Sequence, residues 1–94
     1  MKHTYTSDLD QADLRVRLEH VLHRCTEKYS AHHFEWSWNS EQEASLNLRT
    51  PIGRVRATAQ LDGERINFSI ALPLAMRLLA GQVRAAIDAE MAEG

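Results

Sequence analysis

The chain has 94 residues, of which 44% are hydrophobic and 26% charged, and its formal net charge is −2. This size and composition indicate one globular domain (residues 1–94) with a single core, and they exclude a disordered chain or one drawn to nucleic acid or anionic membrane by its overall charge. The single cysteine cannot form an intramolecular disulfide, and no apolar run approaches the roughly 20 residues of a transmembrane helix, so we expect a cytoplasmic protein.

The first predicted helix covers residues 8–30. Ser7 can cap its free amide groups, and Asp8, Asp10 and Asp13 place negative charge at the positive end of the helix dipole. Apolar residues then recur at helical spacing and predict one buried stripe, formed by Leu14, Leu18, Val21, Leu22, Cys25 and Tyr29.

Alternation of apolar and polar residues predicts the strands that follow. The four predicted strands cover residues 33–39, 43–49, 53–61 and 64–72. In the first of them Phe34, Trp36 and Trp38 occupy every second position, and we assign the two tryptophans to the core rather than to a stacking site for a ligand. Asp62-Gly63 predicts a tight hairpin turn between the last two strands.

A second amphipathic helix is predicted over residues 73–92, with Pro73 at its first position. Its inward stripe is predicted to contain Met76, Leu79, Val83, Ala86, Ile87 and Met91. Gly81 weakens this helix by about 1 kcal/mol relative to alanine, which suggests close packing or a bend there. The order helix, four antiparallel strands, helix predicts an α+β fold. We expect a two-layer sandwich with both helices on one face of the sheet and nothing from this chain on the other.

The sequence contains no recognisable catalytic or cofactor motif. His20 and His23 share a helix face, but Cys25 points elsewhere, so these residues do not converge on a metal ion. Cys25 belongs to the apolar stripe, and Glu41 and Glu43 are interpreted as solvated turn residues. We therefore propose no catalytic residue, no metal and no cofactor from the residues alone.

The outer face of the predicted sheet is the more informative surface. From Arg49 to Arg84 the chain carries six arginines against two carboxylates. Strand parity assigns four of them to the outer face: Arg49, Arg54, Arg56 and Arg65. Arginine favours bidentate binding of phosphate or carboxylate, so these are candidate contacts for an anion, a nucleic acid or another partner. A solvated face, or pairing with a second copy in a homodimer, explains the same pattern, and the absence of outer-face aromatics argues against a reader of single-stranded RNA.

The chain as a whole resembles the small bacterial family of putative polyhydroxyalkanoic acid system proteins. The shared features are His3, Ala12 and Arg15 near the start, Trp36 or Trp38 in the first strand, Gly53 opening a long hairpin, Leu61-Asp62-Gly63 at its tip, Leu72-Pro73 at its end, and Gly81, Ile87 and Met91 in the closing helix. The resemblance implies association with polyhydroxyalkanoate synthesis and storage granules in the bacterial cytoplasm, and it implies no catalytic residues.

Three hypotheses follow. The first is a non-enzymatic accessory protein of the polyhydroxyalkanoate system that contacts the granule or its proteins. The second is a binding module for anions or nucleic acid that uses the four arginines. The third is a small-molecule binder with a pocket between the helices and the sheet, beside Trp36 or Trp38.

Overall fold

The computed structural model describes residues 1–93 and contains one antiparallel sheet and two α-helices. The strands are β1 (Lys2–Thr6), β2 (Glu35–Trp38), β3 (Glu43–Thr50), β4 (Gly53–Asp62) and β5 (Arg65–Ala71). The helices are α1 (Gln11–Lys28) and α2 (Ala80–Glu93), with 3₁₀ turns at Ser30–His32 and Leu74–Leu79. The fold is α+β, as predicted.

The sheet has five strands, so the predicted count of four is wrong. Its order is β1-β5-β4-β3-β2, and the unpredicted strand β1 lies at an edge beside β5. In this pairing His3 faces Phe68 and Tyr5 faces Ile66, which puts both residues on the helix-covered side. Thr4, Tyr5 and Thr6 all favour a strand, but the segment has five residues and none of them is fully buried, so the place of β1 in the sheet depends on its pairing with the edge of β5.

Helix α1 supplies the main cover of the inner sheet face. It begins at Gln11 rather than at residue 8, because the side chain of Asp10 accepts a hydrogen bond from the Asp13 amide at 2.9 Å. Its fully buried residues Leu14 and Leu18 pack with Ala44 and Ala59, which are also completely buried. The small alanine side chains let the helix approach the sheet closely.

The first predicted strand starts later than expected. His33 has a left-handed backbone with φ of 53°, so the chain is still turning there and β2 begins at Glu35. Trp36 and Trp38 both pack against the core, which confirms their assignment. The Trp36 ring meets the His23 ring edge-on at 5.2 Å, and the Arg15 guanidinium lies 4.1 Å above the ring of Trp38.

The second helix also differs from its prediction. Pro73 precedes the helical turns instead of occupying their first position, residues 74–79 form a 3₁₀ segment, and α-helical geometry begins only at Ala80. Pro73 packs on Gly53, where a β-carbon would come within 2.7 Å of the proline ring. At Gly81 no atom lies within 4 Å of such a carbon, so close packing does not explain this glycine.

Helix α2 is attached to α1 by an ion-pair cluster around Glu90. Arg24 donates to the carboxylate at 3.0 Å and to the backbone carbonyl of the same residue at 2.6 Å, and Lys28 donates to the other carboxylate oxygen. The hydrogen bond from Lys28, followed by that from Arg24, holds the pKa of Glu90 below its ordinary value. On the other side of α2, Asp88 lies 2.7 Å from the ring of His3 on β1.

We expect Glu90→Gln to destabilise the protein by about 1–2 kcal/mol at neutral pH, because Arg24 and Lys28 lose a charged acceptor. The stabilisation is present above the ordinary carboxyl pKa of about 4.5 and is lost as the pH falls through the lowered folded-state value. Urea unfolding at several pH values tests this. Glu93→Gln is the control, since Glu93 lies 3.8 Å from Arg24 and is 66% exposed. Equal losses in the two variants would contradict the assignment.

We expect Gly53→Ala to cost about 1–3 kcal/mol, because Gly53 has φ of 144° and no room for a β-carbon. Gly81→Ala is the matched substitution, and it should stabilise α2 by up to about 1 kcal/mol. Thermal unfolding of both variants measures the two effects. A neutral result at Gly53 would show that the contact with Pro73 is not a constraint.

Candidate functional site

The outer sheet face, defined as the side chains that point away from α1 and α2, is not covered by any element within residues 1–93. A shallow hollow of about 530 Å³ lies at its centre. Small polar side chains from the three central strands line the hollow, together with two cations: Ser45, Asn47, Thr58, Ser69, Lys2 and Arg56. The short side chains leave room above the sheet for a contacting group.

Three of the four candidate arginines lie together on this face. Arg49 on β3 and Arg54 on β4 are direct cross-strand partners, and Arg56 is the next same-face residue of β4. Arg49, Arg54 and Arg56 are here called the arginine cluster. All three are exposed, and none forms an ion pair with another side chain in the part of the chain that the structure describes.

The charge of the arginine cluster has no close compensation. Like charges at directly opposed strand positions repel each other. Glu35 is the outer-face carboxylate in the row of Arg56, but Asn47 pairs with both residues and separates them. Two strand spacings amount to about 10 Å, so this carboxylate does not neutralise the cluster. An anion placed between Arg49 and Arg54 would relieve their repulsion.

Arg65 does not belong to the cluster. It is the cross-strand partner of Asp62, whose carboxylate lies 3.9 Å from its guanidinium. Asp62 is six residues along β4 from Arg56, which corresponds to about 20 Å. The structure therefore separates a paired arginine at one end of the sheet from three unpaired ones at the other.

A second candidate surface is apolar and lies at the end of the hairpin formed by β3 and β4. Leu74 is 78% exposed, Leu78 is 97% exposed and Ile52 is 54% exposed. Ile52 adjoins Gly53 and Leu74 adjoins Pro73, and the contact between Gly53 and Pro73 brings these two residues to the same end of the molecule. Leu78 lies four residues after Leu74 in the 3₁₀ segment. We call these three residues the apolar ridge.

Sequence reasoning missed the apolar ridge because it assumed α-helical periodicity from Pro73 onward. In a 3₁₀ segment residues three apart lie above one another, so the inward-facing residues recur at every third position instead of at α-helical spacing. Met76 is half-buried, but Leu79, which the sequence assigned to the inward stripe, is 37% exposed. The cluster of leucines directly after a proline was the one available signal.

The remaining polar residues in positions 1–93 do not assemble into a metal centre. His20 and His23 are exposed, and no three His, Cys, Asp or Glu side chains of residues 1–93 are grouped as ligands for one ion. Burial, and then the nearby charge of Glu90, raises the pKa of Cys25 to about 11. The thiol is therefore protonated at neutral pH and behaves as a core residue.

Neither helix in the described part of the chain is long and apolar enough to cross a membrane.

The two candidate surfaces differ in chemistry. The arginine cluster on the outer sheet face carries positive charge without an acidic partner, and the apolar ridge at the hairpin end exposes leucines.

A family model described as putative polyhydroxyalkanoic acid system protein matches residues 3–94, which is nearly the whole chain. No curated protein and no solved structure shows significant similarity to the chain.

Proposed function

The chain belongs to the family of putative polyhydroxyalkanoic acid system proteins, and we propose that it is a non-enzymatic accessory protein of that system. In this proposal it works in the bacterial cytoplasm and binds the surface of the polyester granule through the apolar ridge. The observation that carries the proposal is the exposure of Leu74 and Leu78 on a segment that follows directly from the sheet.

Several features make the apolar ridge suitable for an apolar surface. Large apolar side chains that are exposed on a small domain are typical of interaction sites rather than of solvated surface. Arg77 is exposed within the same 3₁₀ segment, so a cation adjoins the leucines, as in segments that lie at an interface between water and an apolar phase. The rigid contact between Pro73 and Gly53 holds this segment against the sheet, which reduces the entropy lost when it binds.

We expect Leu74→Ser combined with Leu78→Ser to lower binding to isolated polyhydroxyalkanoate granules by at least tenfold, because burying one leucine contributes about 1.5–3 kcal/mol. Co-sedimentation of purified protein with granules measures the binding. Val16→Ser is the matched control, since Val16 is 67% exposed on α1, outside the apolar ridge. Wild-type protein that stays in the supernatant, or equal sedimentation of the double variant, would refute direct granule binding by this surface.

The second candidate function is binding of an anion or a nucleic acid by the arginine cluster. The observation that favours it is the direct opposition of Arg49 and Arg54 without a neighbouring carboxylate. Such an arrangement costs stability in the free protein and becomes favourable when a phosphate or carboxylate bridges the two guanidinium groups. The hollow beside Arg56 leaves space for the group that carries the anion.

We expect Arg54→Ala combined with Arg56→Ala to weaken binding to double-stranded DNA and to make its salt dependence shallower, by about 1.8 in the slope of log K against log salt. Titration at several salt concentrations measures this slope. Arg65→Ala is the control and should leave the slope unchanged, because Arg65 lies apart and faces Asp62. Absence of wild-type binding at low salt, or the same slope in all three proteins, would exclude the arginine cluster as a nucleic-acid site.

A further inference from the structure

An apolar cavity of about 270 Å³ lies between the inner sheet face and the two helices. Its walls come from α1, α2, the 3₁₀ segment and strands β3, β4 and β5. It does not touch Trp36 or Trp38, where the sequence placed a pocket. The walls are hydrocarbon and aromatic side chains, with the buried thiol of Cys25 and the side chain of Glu90 at one end.

The cavity extends along α2. Its lining residues on this helix run from Val83 to Met91, which corresponds to about 12 Å of helix. An α-helix with side chains is about 10–12 Å in diameter, so 12 Å of it occupies roughly 900–1,400 Å³. The cavity of about 270 Å³ is too small to enclose a helix from another protein or from a second copy.

The chemistry of the walls excludes an extended peptide as well. Each peptide unit brings an amide and a carbonyl that need partners, and burying them unpaired is costly. Both carboxylate oxygens of Glu90 already receive hydrogen bonds, from Arg24 and Lys28, so the walls offer few acceptors for the amides of a peptide backbone. The occupant must consequently be a narrow chain without polar groups along its length.

The two ends of the cavity differ in exposure. Leu22, Cys25 and Met91 are buried at the end near Glu90, whereas Leu72 and Met76 at the other end are half-buried. On α2, Val83 and Ile87 are half-buried and Ala86 is exposed, so the cavity opens to solvent along α2 as well as beside the 3₁₀ segment. Methionine is flexible and polarizable, so Met76 at this opening is able to adapt to an entering group. The carboxylate of Glu90 disfavours an anionic group at the closed end.

From these observations we propose that the cavity is a binding site for the aliphatic chain of an acyl compound. The chain lies between α1 and α2 with its polar end at the opening near Leu72 and Met76. An engineered apolar cavity of about 150 Å³ already binds benzene, and the present one is larger and elongated. The proposal rests on the cavity alone and does not depend on granule binding by the apolar ridge.

The three methionines provide a direct test, because Met76 and Met91 line the cavity whereas Met1 does not. Protein labelled with ¹³C at the methionine methyl groups is titrated with hexanoate, octanoate and decanoate below their micelle concentrations. We expect the signals of Met76 and Met91 to shift and that of Met1 to stay. Affinity should rise about fourfold for each added methylene group until the cavity is full.

Matched variants on α2 test the location. Ala86 lines the cavity and its neighbour Ala85 does not, although both are exposed to a similar degree. Ala86→Phe should weaken decanoate binding at least tenfold, and Ala85→Phe should leave it unchanged. Thermal unfolding verifies that each variant is folded, and Val83→Phe replaces Ala86→Phe if the latter is not.

Comparison of decanoate with 3-hydroxydecanoate distinguishes the source of the chain. Tighter binding of the hydroxy acid indicates a hydroxyacyl compound, and equal binding indicates a fatty acyl compound; both results support the site. A shift of Met1 alone, an affinity independent of chain length, or shifts of Met76 and Met91 that follow protein concentration instead of ligand would overturn the proposal. The last result would show that a second copy covers the opening.

Discussion

The packing of one apolar helix stripe against one face of the sheet is the interaction on which the rest of the structure depends. Leu14 and Leu18 of α1 and Ala44 and Ala59 of the sheet are completely buried, or nearly so, in this contact. A chain of 94 residues has enough apolar surface for a single core. Once the core lies on one side of the sheet, the other side must be polar, and the outer face with its arginine cluster is a direct consequence.

Helix α2 shares the same core but fills it less completely. Met91 is its one buried residue, and polar contacts at Glu90 and Asp88 hold the helix to α1 and β1. These polar contacts hold α2 in place. Side chains therefore do not have to fill all of the apolar space between the helices and the sheet. The elongated cavity and the exposed leucines of the 3₁₀ segment both arise from this looser second layer.

The two surfaces and the cavity also explain why family membership alone does not define a molecular role. Membership identifies the polyhydroxyalkanoic acid system as the setting. Within that setting the apolar ridge suits an apolar surface, the arginine cluster suits an anion, and the cavity suits an acyl chain. These features lie on different parts of the molecule, so a protein of this size is able to use them independently.

Much of this architecture was predictable from local sequence. Alternating residues predicted β2 to β5, Asp62-Gly63 predicted their last turn, and helical spacing predicted α1 and the burial of Cys25, because periodicity reports directly which side chains leave water. The edge strand β1, the 3₁₀ segment after Pro73 and the separation of Arg65 from the other arginines were not predictable in this way. Each depends on which distant residues meet: the free edge of β5, the contact of Pro73 with Gly53, and the register of β4 with its neighbours. The sequence by itself determined the inner and outer faces, and only the tertiary structure decided which outer residues lie together and where the core remains unfilled, since those depend on strand register and on how far two helices approach one sheet.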